Sequence, residues 1–288
     1  MPPLIEVQEL CHVYGTGTPF QHTAIEHINF TAQRGEFIGI IGHTGSGKST
    51  LIQHLNGLLK PTSGKVLLDG TDIWKDKQTT RQARFRVGLV FQYPEYQLFE
   101  ETVFRDIAFG PKNMKLSEQE IRRRVLEAAG FVDVPERVLE KSPFDLSGGQ
   151  KRRVAIAGVI AMEPDVLILD EPTAGLDPEG RAGLLQNLQD YRKQKRAAVI
   201  MVSHSMEEVA MMADRLIVLN HGKIAMEGTP QQVFSHAQEL KDMGLCVPQV
   251  TEIFLRLKEL GVDVDPCVYT VPQAVQALRT RKGGSGRA

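Results

Sequence analysis

The sequence predicts an α/β fold in which a mostly parallel sheet carries helices on both faces. Strand-like and helix-like segments alternate from Val166 to Met226, as is typical of parallel strands joined by crossover helices. A polar stretch of helical period, from about 93 to 160, is predicted as a helical insert between the two halves of the sheet. After Pro230 the sheet pattern ends and a small helical appendage is predicted, which 288 residues can accommodate beside one large domain.

Apolar runs predict the first strands, and a glycine-rich loop precedes the first helix. These runs are Leu4–Leu10, Ile28–Thr31, Phe37–Ile41 and Val66–Leu68, the last before an Asp-Gly hairpin signal. The first helix is predicted over about 48–58 and ends at the turn sequence KPTSG. Within the insert, Ser117 is predicted to cap a helix with acidic residues in its first turn.

The second half alternates more regularly, and the chain then becomes helical. The predicted strands are Val166–Asp170, Ala197–Ser203, Arg215–Leu219 and Lys223–Met226, and the predicted helices are Pro178–Gln194 and Met206–Met212. Helical period continues over Val233–Leu260, followed by a short segment. We therefore predict a main domain over 1–234, a C-terminal helical domain over 235–282 and a flexible tail or cloning remnant over 283–288.

Composition and charge argue against several classes of protein, although a net charge near zero does not exclude a local basic patch. A net charge of −1 gives no overall field that would attract nucleic acid. The longest apolar runs have strand length, well below the roughly 18 residues of a membrane span, and the N-terminus lacks the pattern of a signal peptide. The cysteines, Cys11, Cys246 and Cys267, show neither disulfide nor zinc spacing, which indicates a reducing cytoplasm.

The sequence GHTGSGKS, from Gly42 to Ser49, fits a phosphate-binding loop between a strand and a helix. Its glycines let backbone N–H groups point at phosphate oxygens, and the following helix adds its positive end. Lys48 is expected to reach the β- and γ-phosphates of ATP, and the Ser49 hydroxyl to ligate Mg²⁺. The predicted nucleotide contacts of this loop are Gly42, His43, Thr44, Gly45, Ser46, Gly47, Lys48, Ser49 and Thr50.

A second motif, VLILDE, is a buried strand that ends in two carboxylates. Because the carboxyl end of such a strand faces the nucleotide crevice, Asp170 is placed to hold Mg²⁺, directly or through water. Glu171 points elsewhere and can polarise the attacking water as a general base. The loop and this strand together predict ATP hydrolysis.

The sequence LSGGQ, Leu146 to Gln150, resembles the signature of the ATP-binding-cassette (ABC) ATPases. The remaining family motifs follow in order: Gln92 matches the Q-loop, Asp177 the D-loop and His204 the switch histidine, while Tyr14 matches the aromatic residue that stacks on adenine. The resemblance covers about residues 4 to 235. It implies a P-loop NTPase core with a mostly parallel sheet, an antiparallel β subdomain and a helical insert.

The resemblance also implies roles for individual residues. The catalytic set is Lys48, Gln92, Glu171 and His204, and the Mg²⁺ ligands are Ser49, Gln92 and Asp170. Ser147, Gly148, Gly149 and Gln150 open a helix predicted to run to Met162, and its N-terminus suits approach to a γ-phosphate. ABC ATPases dimerise head to tail, so these residues and Asp177 are expected to contact nucleotide on a partner's P-loop.

The segment FQYPEYQLFEETV, Phe91 to Val103, resembles the ATPases of energy-coupling-factor (ECF) transporters of vitamins or metal ions. In that family this stretch binds a membrane scaffold subunit, which makes Glu95, Gln97, Glu100 and Glu101 candidate contacts. The alternative interpretation of the two consecutive glutamates is a solvated helix start, where acidic residues suit the helix dipole.

The resemblance is to the second of two paralogous ATPase subunits. It implies a heterodimer, with a homodimer left open, on the cytoplasmic face of the membrane. A separate membrane subunit would choose the substrate, so we expect neither direct substrate binding nor nucleic-acid binding. The alternatives are the ATPase of a conventional ABC importer, or a soluble cassette protein that acts on nucleic acid or ribosomes. Trp74 is predicted as a packing residue, and Arg122–Arg124 as an exposed helix face.

Overall fold

A six-stranded sheet forms the centre of the protein. The computed structural model describes residues 2–265 and 267–284. The strands of this sheet are β3 (Phe37–Ile41), β6 (Val87–Val90), β7 (Val166–Asp170), β8 (Ala198–Val202), β9 (Arg215–Asn220) and β10 (Lys223–Gly228). Their spatial order is β10-β9-β3-β8-β7-β6, and all neighbours are parallel except the pair of β9 and β10. The mostly parallel sheet predicted from the sequence is confirmed.

An antiparallel sheet of order β2-β1-β4-β5 covers part of the central sheet. Its strands are β1 (Ile5–Tyr14), β2 (His22–Ala32), β4 (Ser63–Leu68) and β5 (Thr71–Asp72). The first two strands are longer than predicted. Their pairing shifts register three times between Val7 and Val13, and Glu9 has a φ of 47°. Such bulges interrupt the strict alternation by which a strand is recognised in a sequence.

The helices lie on both faces of the central sheet and, at the C-terminal end, in a small separate cluster around Phe254, Val268 and Ala274. They are α1 (Lys48–Leu55), α2 (Lys77–Arg86), α3 (Val103–Asn113), α4 (Glu118–Phe131), α5 (Gly148–Ile160), α6 (Pro178–Lys195), α7 (Met206–Met212), α8 (Pro230–Ser235), α9 (Ala237–Asp242), α10 (Gln249–Glu259) and α11 (Val271–Gly284). The first helix ends earlier than predicted because Gly57 turns into the left-handed region at a φ of 73°.

The strand β7 shows how both faces of the sheet are buried. Leu167 and Leu169 lie in a cluster shared with the helical insert, whereas Val166 and Ile168 lie in a cluster shared with the antiparallel sheet. Successive side chains of a strand point to opposite faces, so a strand covered on both sides is a continuous apolar run. This packing fixes the end of β7, where Asp170 is located.

The insert between β6 and β7 contains α3, α4 and α5, as the helical period predicted. Ser117 caps α4, because its Oγ accepts a hydrogen bond from the Glu120 N–H at 3.3 Å. In the basic run of α4, Arg122 and Arg123 are exposed, as predicted, whereas Arg124 is half-buried. Arg123 and Arg124 form ion pairs with Glu120 and Glu163.

The C-terminal segment forms separate helices rather than one continuous helical stretch. Breaks fall at His236, between α8 and α9, and at Gly244–Pro248, before α10. Gly244, just after α9, adopts a left-handed φ of 75° that a helix cannot continue through, and Pro248 is the N-cap at which α10 begins. The last helix includes Gly283 and Gly284, and the rest of the predicted tail, 285–288, lies outside the described residues. Within the described ranges, no helix combines the length and the apolarity needed to cross a membrane.

Candidate nucleotide site

A pocket of about 360 Å³ opens at the carboxyl edge of the central sheet. The segments that follow β3, β6, β7 and β8 meet there, as expected for the crevice of an open α/β sheet. Its lining is Tyr14, His22, Ala24, Thr44, Gly45, Gly47, Lys48, Ser49, Thr50, Gln92, Asp170, Glu171 and His204. The structure therefore brings together residues that the sequence analysis chose from five separate motifs.

The loop between β3 and α1 has the curled backbone that a phosphate cradle requires. Gly45 and Gly47 have φ values of 81° and 103°, and a Cβ at Gly47 would lie 2.7 Å from the Ala24 carbonyl oxygen. Among the described residues the buried Ser46 Oγ has no hydrogen-bond partner. Lys48 is almost fully buried, and its Nζ donates to the carbonyls of Gly42 and His43 at 2.7 and 2.9 Å. The glycine conformations and the position of Lys48 fit a bound nucleotide phosphate, whereas the Ser46 hydroxyl lies behind the pocket lining.

The charges on the pocket floor influence one another. Burial lowers the pKa of Lys48, and the negative charges of Asp170 and Glu171 partly offset that effect. Burial and the neighbouring Glu171 raise the pKa of Asp170, against the opposing influence of Lys48, His204 and a hydrogen bond from Ser49. A carboxylate and a hydroxyl in contact are hard oxygen ligands of the type that Mg²⁺ prefers, so Asp170 and Ser49 fit a magnesium ion.

Glu171 is held between two polar side chains. The Gln92 Nε2 donates to its Oε2 at 3.0 Å, and the His204 Nε2 lies 3.0 Å from its Oε1. Glu171 has a φ of 50°, which is uncommon for a non-glycine residue. This backbone turn directs the Glu171 side chain away from that of Asp170. Its backbone N–H donates to the Val202 carbonyl at 2.9 Å. A carboxylate fixed in this way can accept a proton from a water molecule.

Tyr14 forms a half-exposed wall of the same pocket. Its hydroxyl lies 3.3 Å from the Thr50 Oγ1, and its ring packs edge-on against His12 at 4.4 Å between centroids. His12 in turn packs on His54, whose pKa falls to about 4 because of burial and the nearby charge of His12. At pH 7 the His54 ring is therefore uncharged, and it supports the Tyr14 ring indirectly, through the His12 ring that lies between them.

We expect Tyr14→Ala to weaken ATP binding by about tenfold, because base–aromatic stacking contributes about 1–3 kcal/mol. Isothermal titration calorimetry with Mg-ATP measures the change directly. Tyr14→Phe, which keeps the ring and loses only the contact with Thr50, should bind almost normally. Equal affinities for Tyr14→Ala and the unmodified protein would mean that adenine binds elsewhere.

The LSGGQ residues and Asp177 lie outside this pocket. Ser147 and Gln150 form a reciprocal capping box at the start of α5, with the Ser147 N–H donating to the Gln150 Oε1 at 3.0 Å. A Cβ placed on Gly148 would meet nothing within 4 Å, so the space above this helix end is open. Asp177 caps α6 by accepting from the Gly180 N–H at 2.7 Å. Within the described residues, the structure does not bring LSGGQ and the phosphate-binding loop together in one pocket.

Some residues differ from the expectation. His22 and Ala24 line the pocket but carry no sequence signal, because the packing of β2 against the loop brings them there. Gly42, His43 and Ser46 belong to the loop without lining the pocket. The His43 ring contacts the Asn220 Oδ1 at 3.1 Å through its Nε2.

The turn after Gln92 contains a buried ion pair that the sequence did not predict. Arg152 of α5 donates to both carboxylate oxygens of Glu95, at 3.0 and 3.1 Å, and only 4% of the arginine side chain is exposed. Tyr93 has a φ of 56°, and its ring lies 5.9 Å from the same guanidinium group. Glu95 was predicted as an acceptor for a scaffold subunit, but its carboxylate is already engaged within this chain.

Comparisons with known proteins agree with this geometry. Residues 25–174 match the ABC transporter family. The chain is 54% identical to an energy-coupling factor transporter ATP-binding protein EcfA2 of Clostridium tetani, over 95% of this chain and 96% of the relative. It is 52% identical to the protein of that name in Clostridioides difficile, over 98% and 99% of the two chains.

Solved structures are similar as well. The structure of cbiO1 from Clostridium perfringens, described as part of the ABC transporter complex cbiONQ, matches with a TM-score of 0.75 and 39% identity, over 91% of this chain and 98% of that chain. A dimeric ATP-binding cassette in a post-hydrolysis state, bound to ADP and Pi, matches with a TM-score of 0.71 and 29% identity, over 78% and 98%. The chain belongs to the ABC transporter family and, within it, to the ATP-binding proteins of energy-coupling factor transporters.

Proposed function

We propose that this chain is the ATP-hydrolysing subunit of an ECF-type importer and that it passes the energy of Mg-ATP to a membrane scaffold. The observation that carries the proposal is the position of Glu171, within 3.0 Å of both Gln92 and His204 at the rim of the phosphate pocket. Lys48 would bind the β- and γ-phosphates, and Ser49, Gln92 and Asp170 would hold Mg²⁺. Glu171 would act as the general base, with His204 orienting the reacting groups.

We infer that the active assembly contains two cassettes arranged head to tail. The open N-terminus of α5, outside the chain's own pocket, supports this arrangement because it leaves Ser147–Gln150 free to cover a partner's nucleotide. The similarity to a dimeric cassette bound to ADP and Pi supports it further. We favour a paralogous ATPase as the partner, with a homodimer as the alternative, because the resemblance is to the second of two paralogous subunits.

An apolar groove of about 390 Å³ lies between the turn after Gln92 and the helices α3 and α5. Phe99 and Phe109 meet edge to face in its wall, with centroids 5.0 Å apart, and both rings are about half exposed. Exposed apolar surface of this kind is typical of a protein interaction site. We propose that a helix of the scaffold subunit binds in this groove, with Gln97 in its lining and Glu100 and Glu101 beside it.

Replacing both ring residues of the groove, Phe99→Ser with Phe109→Ser, should abolish co-purification with a co-expressed ECF scaffold subunit while Mg-ATP binding persists. The reason is the loss of two apolar side chains from the contact surface. Phe20→Ser is the matched control, since Phe20 is 86% exposed and does not line the groove. Retention of the scaffold by the double variant would contradict this docking site, whereas loss in the Phe20 variant would indicate a non-specific effect.

We propose that the chain acts at the cytoplasmic face of the cell membrane as a peripheral subunit. A separate membrane subunit would select the vitamin or metal ion, so substrate identity would not depend on the residues described above.

A further inference from the structure

A second pocket, of about 430 Å³, lies between the start of α2 and the segment that follows α1. Its lining includes Lys60, Trp74, Asp76, Lys77, Arg81 and Arg84. It shares no lining residue with the nucleotide pocket. Its volume falls within the range of small-molecule sites. The pocket is therefore a distinct concave surface with an excess of positive charge.

The cations of this pocket are not neutralised within the chain. Among the residues that the structure describes, none of these lysines and arginines has an ion pair within 4.0 Å. Arg84 donates to the Gly57 carbonyl at 2.9 Å, and Arg81 to the Asn113 carbonyl at 3.5 Å, which are neutral acceptors. These contacts position the guanidinium groups and leave their charge uncompensated.

One carboxylate, Asp76, also lines the pocket and offsets only one of its four cations. The Asp76 Oδ1 accepts hydrogen bonds from the Thr79 N–H at 2.8 Å and from the Thr79 hydroxyl at 3.0 Å, as the N-cap of α2. Lys77, Arg81 and Arg84 are spaced so that they share one face of α2. Like charges at this spacing repel one another and destabilise the helix, and an anion bound among them would offset this repulsion.

Trp74 supplies an aromatic wall of the pocket. In the described part of the chain its Nε1–H is buried without a hydrogen-bond partner, which is unusual because buried indole N–H groups normally find one. The sequence predicted Trp74 as a packing residue, and it does pack against the core cluster of the antiparallel sheet. It also borders the cationic pocket.

We propose that this pocket binds a phosphate group, carried by the headgroup of an anionic phospholipid or by a soluble phosphate compound. Guanidinium groups donate in a planar fork that matches phosphate oxygens, and lysine ammonium groups add point charges. Inorganic phosphate or a phosphate monoester carries up to two negative charges and a lipid phosphodiester carries one, so either source would offset part of the positive charge of the pocket. The proposal is independent of ATP hydrolysis, because the two pockets have no residue in common.

The single tryptophan of the chain provides a direct readout, since Trp74 is the only source of indole fluorescence. The full-length protein, with Mg-ADP saturating the nucleotide site, is titrated with inorganic phosphate in one arm and with phosphatidylglycerol vesicles in the other. Phosphatidylcholine vesicles serve as the uncharged reference. A saturable change with inorganic phosphate indicates a soluble ligand, and a saturable change only with phosphatidylglycerol indicates a lipid headgroup. Either result supports the proposal.

A charge-removed variant tests whether the signal comes from this pocket. Lys77→Gln with Arg81→Gln should weaken binding by about tenfold or more, because charge-assisted hydrogen bonds are lost. Arg84 is left unchanged because it also lines the apolar groove. The matched control is Arg122→Gln with Lys115→Gln, which removes two cations outside the pocket lining and should bind normally.

Raising the salt concentration should weaken phosphate binding to the unmodified protein, because salt screens the positive charges of the pocket. This test needs no variant. The proposal is overturned if neither phosphate nor phosphatidylglycerol gives a saturable change. It is also overturned if the Lys77→Gln/Arg81→Gln protein, with normal Mg-ADP binding as evidence of folding, responds with unchanged affinity.

Discussion

Glu171→Gln is expected to lower the rate of ATP hydrolysis by about 10²- to 10⁴-fold while Mg-ATP binding persists, because only the general base is lost. Glutamine has nearly the same shape and can still form hydrogen bonds at the position held by Gln92 and His204. Lys48, which we propose binds the phosphates, and Ser49, which we propose holds Mg²⁺, are unchanged. We therefore expect the variant to bind Mg-ATP and to accumulate as an ATP-bound dimer, since hydrolysis no longer opens the interface.

Phosphate release from the assembled complex measures the rate, and light scattering with and without Mg-ATP measures the dimer. Glu118→Gln is the matched control, because Glu118 is an exposed carboxylate in the first turn of α4, outside the pocket lining. It should hydrolyse ATP at the normal rate. Unchanged hydrolysis by the Glu171 variant would mean that another group accepts the proton.

The central sheet and the pocket could be predicted because their signals are local. A continuous apolar run such as Val166–Asp170 must be buried on both faces, and its carboxyl end must then meet the ends of the parallel strands beside it. Asp170 and Glu171 therefore come close to the loop that contains Lys48, although more than a hundred residues separate them. The motifs identified the site because sheet topology requires them to converge.

Features that depend on tertiary packing could not be predicted in the same way. The bulges that lengthen β1, with Glu9 at a positive φ, break the alternation that defines a strand in a sequence. His22 and Ala24 reach the pocket only because β2 packs beside the loop. The ion-pair partner of a charged residue cannot be predicted from the sequence either. Glu95 and Arg152 lie far apart in the chain, and neither is unusual in its local sequence pattern.

The second prediction with a large expected effect concerns the ion pair between Arg152 and Glu95. Arg152→Met should lower the free energy of unfolding by about 3 kcal/mol, because it leaves the Glu95 carboxylate without its partner where only 18% of the side chain is exposed. The same change removes the guanidinium group beside the Tyr93 ring. Unfolding in urea, monitored by circular dichroism, measures the loss.

Two further variants distinguish the effect of leaving a buried charge unpaired from the general effect of replacing an arginine. Arg105→Met breaks the pair with Glu101, whose side chains are 52% and 79% exposed, and should cost less than about 1 kcal/mol. Adding Glu95→Gln to Arg152→Met removes the uncompensated charge and should restore part of the stability. Because the pair joins the turn after Gln92 to the helix that begins with LSGGQ, the single variant should also loosen the link between those two motifs. If Arg152→Met and Arg105→Met cost the same, the pair contributes no more than an ordinary surface contact.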